Sequence, residues 1–155
     1  MASETERKYL IDASGWQQYI SRSLHILQGY VTDGGGDCEI RIRCSGPEAW
    51  ITIKDSTQAL TRREFEYSIP LADAKEMLDG FTRTHISKVR HELALSPGSW
   101  TVDEFSGKLD GLLLLEIEGP ELVEPPRLPD WVRQEVTDDA RYRNAHLSRA
   151  LSIPA

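Results

Sequence analysis

Glu4-Thr5-Glu6-Arg7-Lys8, near the start of the chain, sets two carboxylates and an ammonium at alternate positions. Alternate side chains of an extended strand share one face, about 7 Å apart. Glu4, Glu6 and Lys8 therefore point the same way and make a place for a metal ion and an anion together. The same alternation of charge recurs downstream. Arg41 and Arg43 share a face, as do Arg62, Glu64 and Glu66, then Lys88 and Arg90, then Glu116 and Glu118. Five such patterns in 155 residues need a common explanation.

Strand signals dominate the rest of the chain. Residues 3–12, 38–44, 49–55, 61–69, 85–93, 99–105 and 111–118 alternate apolar with polar. Turn signals separate them at Asp33-Gly34-Gly35-Gly36, Ser45-Gly46-Pro47, Ser96-Pro97-Gly98 and Ser106-Gly107. Helices are expected at 13–23, on the spacing of Trp16, Tyr19 and Ile20, and at 71–80 after Pro70. Residues 119–130 hold four prolines and read as an irregular connector. Residues 131–151 read as a C-terminal helical segment, with a helix over 138–151 started by Asp138 or Asp139. The order describes a single α+β domain over 1–155, built on antiparallel strands.

Composition excludes several classes. A hydrophobic share of 39% and a charged share of 28% are ordinary for a globular protein. No apolar run approaches membrane-spanning length, and the acidic, polar start is not a secretory signal. Cys38 and Cys44, the only cysteines, fit a reducing cytoplasm, and no further ligands stand near them for a metal. A net charge of −7 argues against broad nucleic-acid binding, yet allows a small anion in a local basic pocket.

Sorting the strands by face sharpens the picture. One face carries Ile40, Ile42, Ile51, Ile53, Phe65, Tyr67, Ile69, Val102, Leu113, Leu115 and Ile117. The other carries the charged residues named above together with Lys54 and Asp103. A solvated outer face is the ordinary reading of such a list. However, Ser and Thr are almost missing from it, and like charges cluster. Two like charges about 4 Å apart repel by roughly 4 kcal/mol at an effective dielectric near 20, unless a ligand or ion neutralises them. The sharper reading is a closed barrel with its charged face inward and its apolar face under helices. Basic groups from several strands would then grip a polyanion. Carboxylate pairs without His or Cys suit a hard ion such as Mg²⁺ or Mn²⁺. Together they describe phosphoryl transfer. Gly34-Gly35-Gly36 lacks the Lys-Ser/Thr of a phosphate loop, and His25, His85, His91 and His146 are scattered.

Glu4-x-Glu6-x-Lys8 resembles the E-x-E-x-K signature of the CYTH superfamily, the triphosphate tunnel metalloenzymes. Gln28-Gly29-Tyr30, Arg41-Ile42-Arg43, Ile51-Thr52-Ile53-Lys54, Arg62-Arg63-Glu64-Phe65-Glu66, Lys88-Val89-Arg90, Val102-Asp103-Glu104-Phe105 and Leu115-Glu116-Ile117-Glu118 follow in that family's order. The ending, with Glu135-Val136-Thr137 and Arg141-Tyr142-Arg143-Asn144, resembles the short bacterial members, which are similar to inorganic triphosphatases. The resemblance implies an eight-stranded antiparallel closed β-barrel with a charged lumen, helices packed outside and a C-terminal plug helix. It implies hydrolysis of tripolyphosphate to pyrophosphate and phosphate with Mg²⁺ or Mn²⁺, two ions in all. Glu4, Glu6, Asp103, Glu116 and Glu118 match the metal ligands. Lys8, Arg41, Arg43, Lys54, Arg62, Lys88 and Arg90 match the substrate grip, and Glu64 and Glu66 line the tunnel. Lys54, Tyr30 and Lys8 are the candidates for assisting proton transfer, with Tyr30 expected near Lys54.

Two departures stand out: His91 where an aromatic Tyr is usual, and Arg133-Gln134 where a Gly is common. The competing functions are a thiamine- or nucleoside-triphosphatase, an adenylyl cyclase, and a non-catalytic polyphosphate- or nucleotide-binding module. A homodimer is expected from apolar outer strands that exceed what the few helices cover.

Overall fold

The computed structural model describes residues 3–32, 36–57 and 59–155. Asp33, Gly34 and Gly35 of the first expected turn lie outside the described residues. Among the described residues nine strands form: β1 (Ser3–Ile11), β2 (Ile20–Tyr30), β3 (Cys38–Ser45), β4 (Glu48–Asp55), β5 (Thr61–Ser68), β6 (His85–Leu93), β7 (Ser99–Phe105), β8 (Leu113–Glu118) and β9 (Val132–Glu135). Helix α1 spans Leu71–Phe81, and α2 is a single turn, Asn144–Leu147.

The sheet runs β5-β4-β3-β2-β6-β7-β8-β1, and β1 returns to pair with β5, closing an eight-stranded antiparallel barrel. Register brings the charged residues together. Glu6 lies opposite Glu118 and Lys8 opposite Glu116 across β1 and β8. Glu4 faces Arg62, Lys54 faces Glu64, and Arg90 faces Asp103. Directly opposed residues share a face, so the register alone puts these groups on one surface. β9 is an extra strand, paired with the far half of β1.

The apolar face is outside and covered unevenly. Tyr9, Val102, Leu115 and Ile117 are buried beneath Trp16, Leu122 and Trp131 from the connecting segments. On the opposite wall, Ala74 and Leu78 of α1 pack on Ile42 and Ala49. Phe65 and Tyr67 on β5 stay 40% and 57% exposed.

Two expected helices take other forms. Residues 13–23 give only a 3-10 turn, Gln17–Tyr19, and β2 begins at Ile20. Gly15 interrupts the segment at φ 108°, where a Cβ would lie 3.1 Å from Trp131. From Arg22 the chain is held along β6 by continuous pairing, which overrides local helical spacing. The expected 138–151 helix is reduced to a 3-10 turn, Ala140–Tyr142, followed by α2. The segment instead follows the barrel end. Tyr142 and Leu147 pack with Ile86, Phe105, Leu114 and Val136, sealing that mouth with an apolar plug.

Candidate active site

Inside the barrel is a cavity of about 310 Å³. Glu4, Glu6, Lys8, Arg41, Arg43, Lys54, Glu64, Glu66, Arg90, Glu116, Glu118 and Asn144 line it. Strand alternation places the eleven charged ones, since each shares its strand's inward face.

Glu4, Glu64 and Glu118 converge, with one carboxylate oxygen of each within 4.8 Å of the others. The electrostatics register the crowding. Burial, then the hydrogen bond and charge of Glu4, push Glu64 up to about 8. Burial, then the charges of Glu4, Glu6 and Glu116, push Glu118 up to about 7. Burial would raise Glu4 too, but Lys54, the Glu64 hydrogen bond and Arg62 bring it down to about 2. Lys54 Nζ donates to Glu4 Oε1 at 3.0 Å and Arg62 Nη2 to the same oxygen at 3.3 Å. An all-oxygen donor set that repels itself when empty fits a hard divalent cation.

The other expected ligands have different partners. Glu6 and Glu116 flank the buried Lys8 ammonium, each at 3.7 Å. Asp103 is fully buried and taken up by cations. Lys88 Nζ donates to it at 2.6 Å, Arg90 Nε at 2.7 Å and Arg90 Nη2 at 2.8 Å. Burial alone would raise the Asp103 carboxyl, but Arg90 and Lys88 hold it below its ordinary range. Burial drags Lys88 down, to about 7, against the pull of the Asp103 carboxylate to which it donates at 2.6 Å. Arg90 reaches on to Glu116 Oε2 at 2.9 Å.

The basic set divides in two. Arg41 is bonded to Thr52 and Glu66, at 3.0 and 3.2 Å. Arg43 Nε donates to Gln28 Oε1 at 2.9 Å, and among the described residues no carboxylate forms an ion pair with it. Its guanidinium fork is the freest cation facing the cavity. Lys88 does not face it at all, because it lies behind Asn144. Tyr30 accepts from Gln28 Nε2 at 3.3 Å, while Lys54 is engaged by Glu4. His91 lies outside the barrel, bonded to Ser23 and Glu104, and Arg133 pairs with Asp12 on the surface.

Sequence reasoning missed Glu39, Gln28, Thr52 and Asn144. Glu39 shares the inward face of Arg41 and Arg43, so alternation could have found it. It pairs with Arg143 of the plug. Asn144 carries no such signal, since its segment is irregular.

The raised carboxyls have a measurable consequence. Glu64 and Glu118 hold protons in the folded, metal-free protein that they would release in the unfolded chain above pH about 4.5. The folded state thus binds more protons, and stability falls as pH rises through 7 and 8. The melting temperature of metal-free protein should drop between pH 5 and 8. Mg²⁺ should raise it far more at pH 8 than at pH 5. A pH-independent Mg²⁺ effect would count against these carboxylates as ligands.

The closed antiparallel barrel with its charged face inward matches the triphosphate tunnel fold of a solved inorganic triphosphatase. No family model matches the chain. It is 32% identical over 148 residues to an inorganic triphosphatase of Acetivibrio thermocellus, covering 95% of this chain and 94% of that one. An inorganic triphosphatase of Nitrosomonas europaea is 32% identical over 158 residues, covering 98% and 99%. The crystal structure of the inorganic triphosphatase NE1496 superposes with a TM-score of 0.69 at 29% identity, covering 100% and 99%. The chain belongs to the family of these inorganic triphosphatases.

Proposed function

We propose that this protein hydrolyses inorganic tripolyphosphate to pyrophosphate and phosphate with a divalent metal ion. The observation that carries this is the charged cavity, lined both by a carboxylate triad and by Arg43, which forms no ion pair among the described residues. Glu4, Glu64 and Glu118 would hold Mg²⁺ or Mn²⁺. When bound there, the ion supplies neutralisation of phosphate oxygens and acidification of water. Glu64 thereby joins the ligand set, and Asp103 becomes the residue that orients Arg90 and Lys88.

The residues of the chain do the rest. Arg43 offers a bidentate fork to phosphate oxygens. Arg90, fixed by Asp103 and Glu116, and Arg41, fixed by Glu66, present preorganised charge to the group being transferred. Water attacks the terminal phosphorus, the phosphoanhydride P–O bond breaks, and pyrophosphate leaves with the bond's electron pair. Lys54, Lys8 and Tyr30 are proposed to assist proton movement. Burial keeps the Tyr30 hydroxyl protonated, above its ordinary range, so it acts as a donor.

The sealed mouth disfavours the nucleotide and thiamine substrates, and the carboxylate triad disfavours a pure anion binder. Phosphate release from tripolyphosphate, ATP and thiamine triphosphate, with Mg²⁺, Mn²⁺ or chelator, tests the proposal. Tripolyphosphate should be preferred and chelator should abolish the rate. Activity on none of the three would favour a binding module.

No helix among the described residues is long and apolar enough to cross a membrane. The free thiols of Cys38 and Cys44 support a cytoplasmic setting. The exposed Phe65 and Tyr67 support a homodimer closing on β5.

A further inference from the structure

We infer that Asn144, carried into the barrel by the C-terminal plug, is the floor of the tunnel and sets the length of phosphate chain accepted. The inference deepens the triphosphatase reading and rests on it. Among the described residues, Asn144 is the one uncharged side chain lining the cavity. Its Oδ1 accepts from Lys88 Nζ at 3.2 Å, and its Nδ2 is aimed at Glu116 Oε1 at 3.5 Å. The fully buried Lys88 ammonium therefore stands behind the amide, and an entering phosphate chain meets Asn144 first.

Beyond the amide and the Lys88 ammonium that it covers, the described residues that pack the plug are mostly apolar. Tyr142, Leu147, Phe105 and Leu114 fill the space beyond. The amide is also held in place. The preceding residue, Arg143, is bonded to Glu39 and to the Ser56 carbonyl, the latter at 2.8 Å. Lys8 Nζ reaches the Tyr142 carbonyl at 3.4 Å on the other side. A fixed amide N–H donates to a terminal phosphate oxygen without adding charge. A fourth phosphoryl group would need the ammonium that Asn144 covers. The site is thus matched to a chain that ends at the amide.

Removing the amide should uncover Lys88 and deepen the site. Asn144→Ala and Asn144→Asp would be assayed on tripolyphosphate and tetrapolyphosphate, with kcat and KM determined for each. For Asn144→Ala, the tetrapolyphosphate-to-tripolyphosphate ratio of kcat/KM should rise by about tenfold, the scale of one charge-assisted hydrogen bond gained. Asn144→Asp is isosteric and sets a carboxylate against the terminal phosphate. It should raise KM for both chains by about tenfold. A merely structural role would lower both rates together and leave the chain-length ratio unmoved. An unchanged ratio in folded Asn144→Ala overturns the inference. Should the alanine variant not fold, an unchanged KM in Asn144→Asp does so. A wild-type protein inactive on both chains would instead refute the triphosphatase reading.

Discussion

Glu4→Gln should lower tripolyphosphate hydrolysis by about 10³-fold at saturating Mg²⁺, with the fold retained. Glu4 belongs to the carboxylate triad proposed to hold the metal, and it is the shared acceptor of Lys54 and Arg62. Neutralising it removes a ligand and also releases two cations from their set positions. Loss of one preorganised contact at a transition state commonly costs about 10²–10³-fold, and Glu4 makes more than one. The Mg²⁺-induced rise in melting temperature should shrink in parallel. Turnover resembling wild type, or an unchanged Mg²⁺ requirement, would remove Glu4 from the site.

Asp103→Asn should separate two roles for that carboxylate. Fully buried, it neutralises Lys88 and Arg90. Taking the negative charge away leaves buried cations uncompensated, at about 3–5 kcal/mol. For a chain of this size the melting temperature should fall on the order of 10 °C. Activity should fall too, because Arg90 loses the fork that aims it. The Mg²⁺ concentration for half-maximal rate should stay near the wild-type value. A large rise in that concentration, without loss of stability, would restore Asp103 to the ligand set.

Much of the barrel was legible in the chain because strand alternation is a strict period. Once Ile40 and Ile42 face out, Arg41 and Arg43 must face in, and the same logic places Glu116 and Glu118. Legibility failed where local pattern and tertiary pairing disagree. Trp16, Tyr19 and Ile20 sit at helical spacing, but Gly15 and the β6 pairing make the region a turn and a strand. Partnership was also hidden. Asp103, Glu64 and Glu118 all sit on inward faces. Only the closed geometry shows that Asp103 is claimed by cations while Glu64 meets Glu4 and Glu118. Asn144 was beyond reach because its place depends on how an irregular tail folds into the barrel end.

Anomalous diffraction from crystals grown with Mn²⁺ and a non-hydrolysable tripolyphosphate analogue is the decisive measurement. A triphosphate tunnel predicts manganese among Glu4, Glu64 and Glu118, with the phosphate chain running past Arg43 toward Asn144. Manganese at Asp103, or the analogue bound outside the barrel, would contradict it.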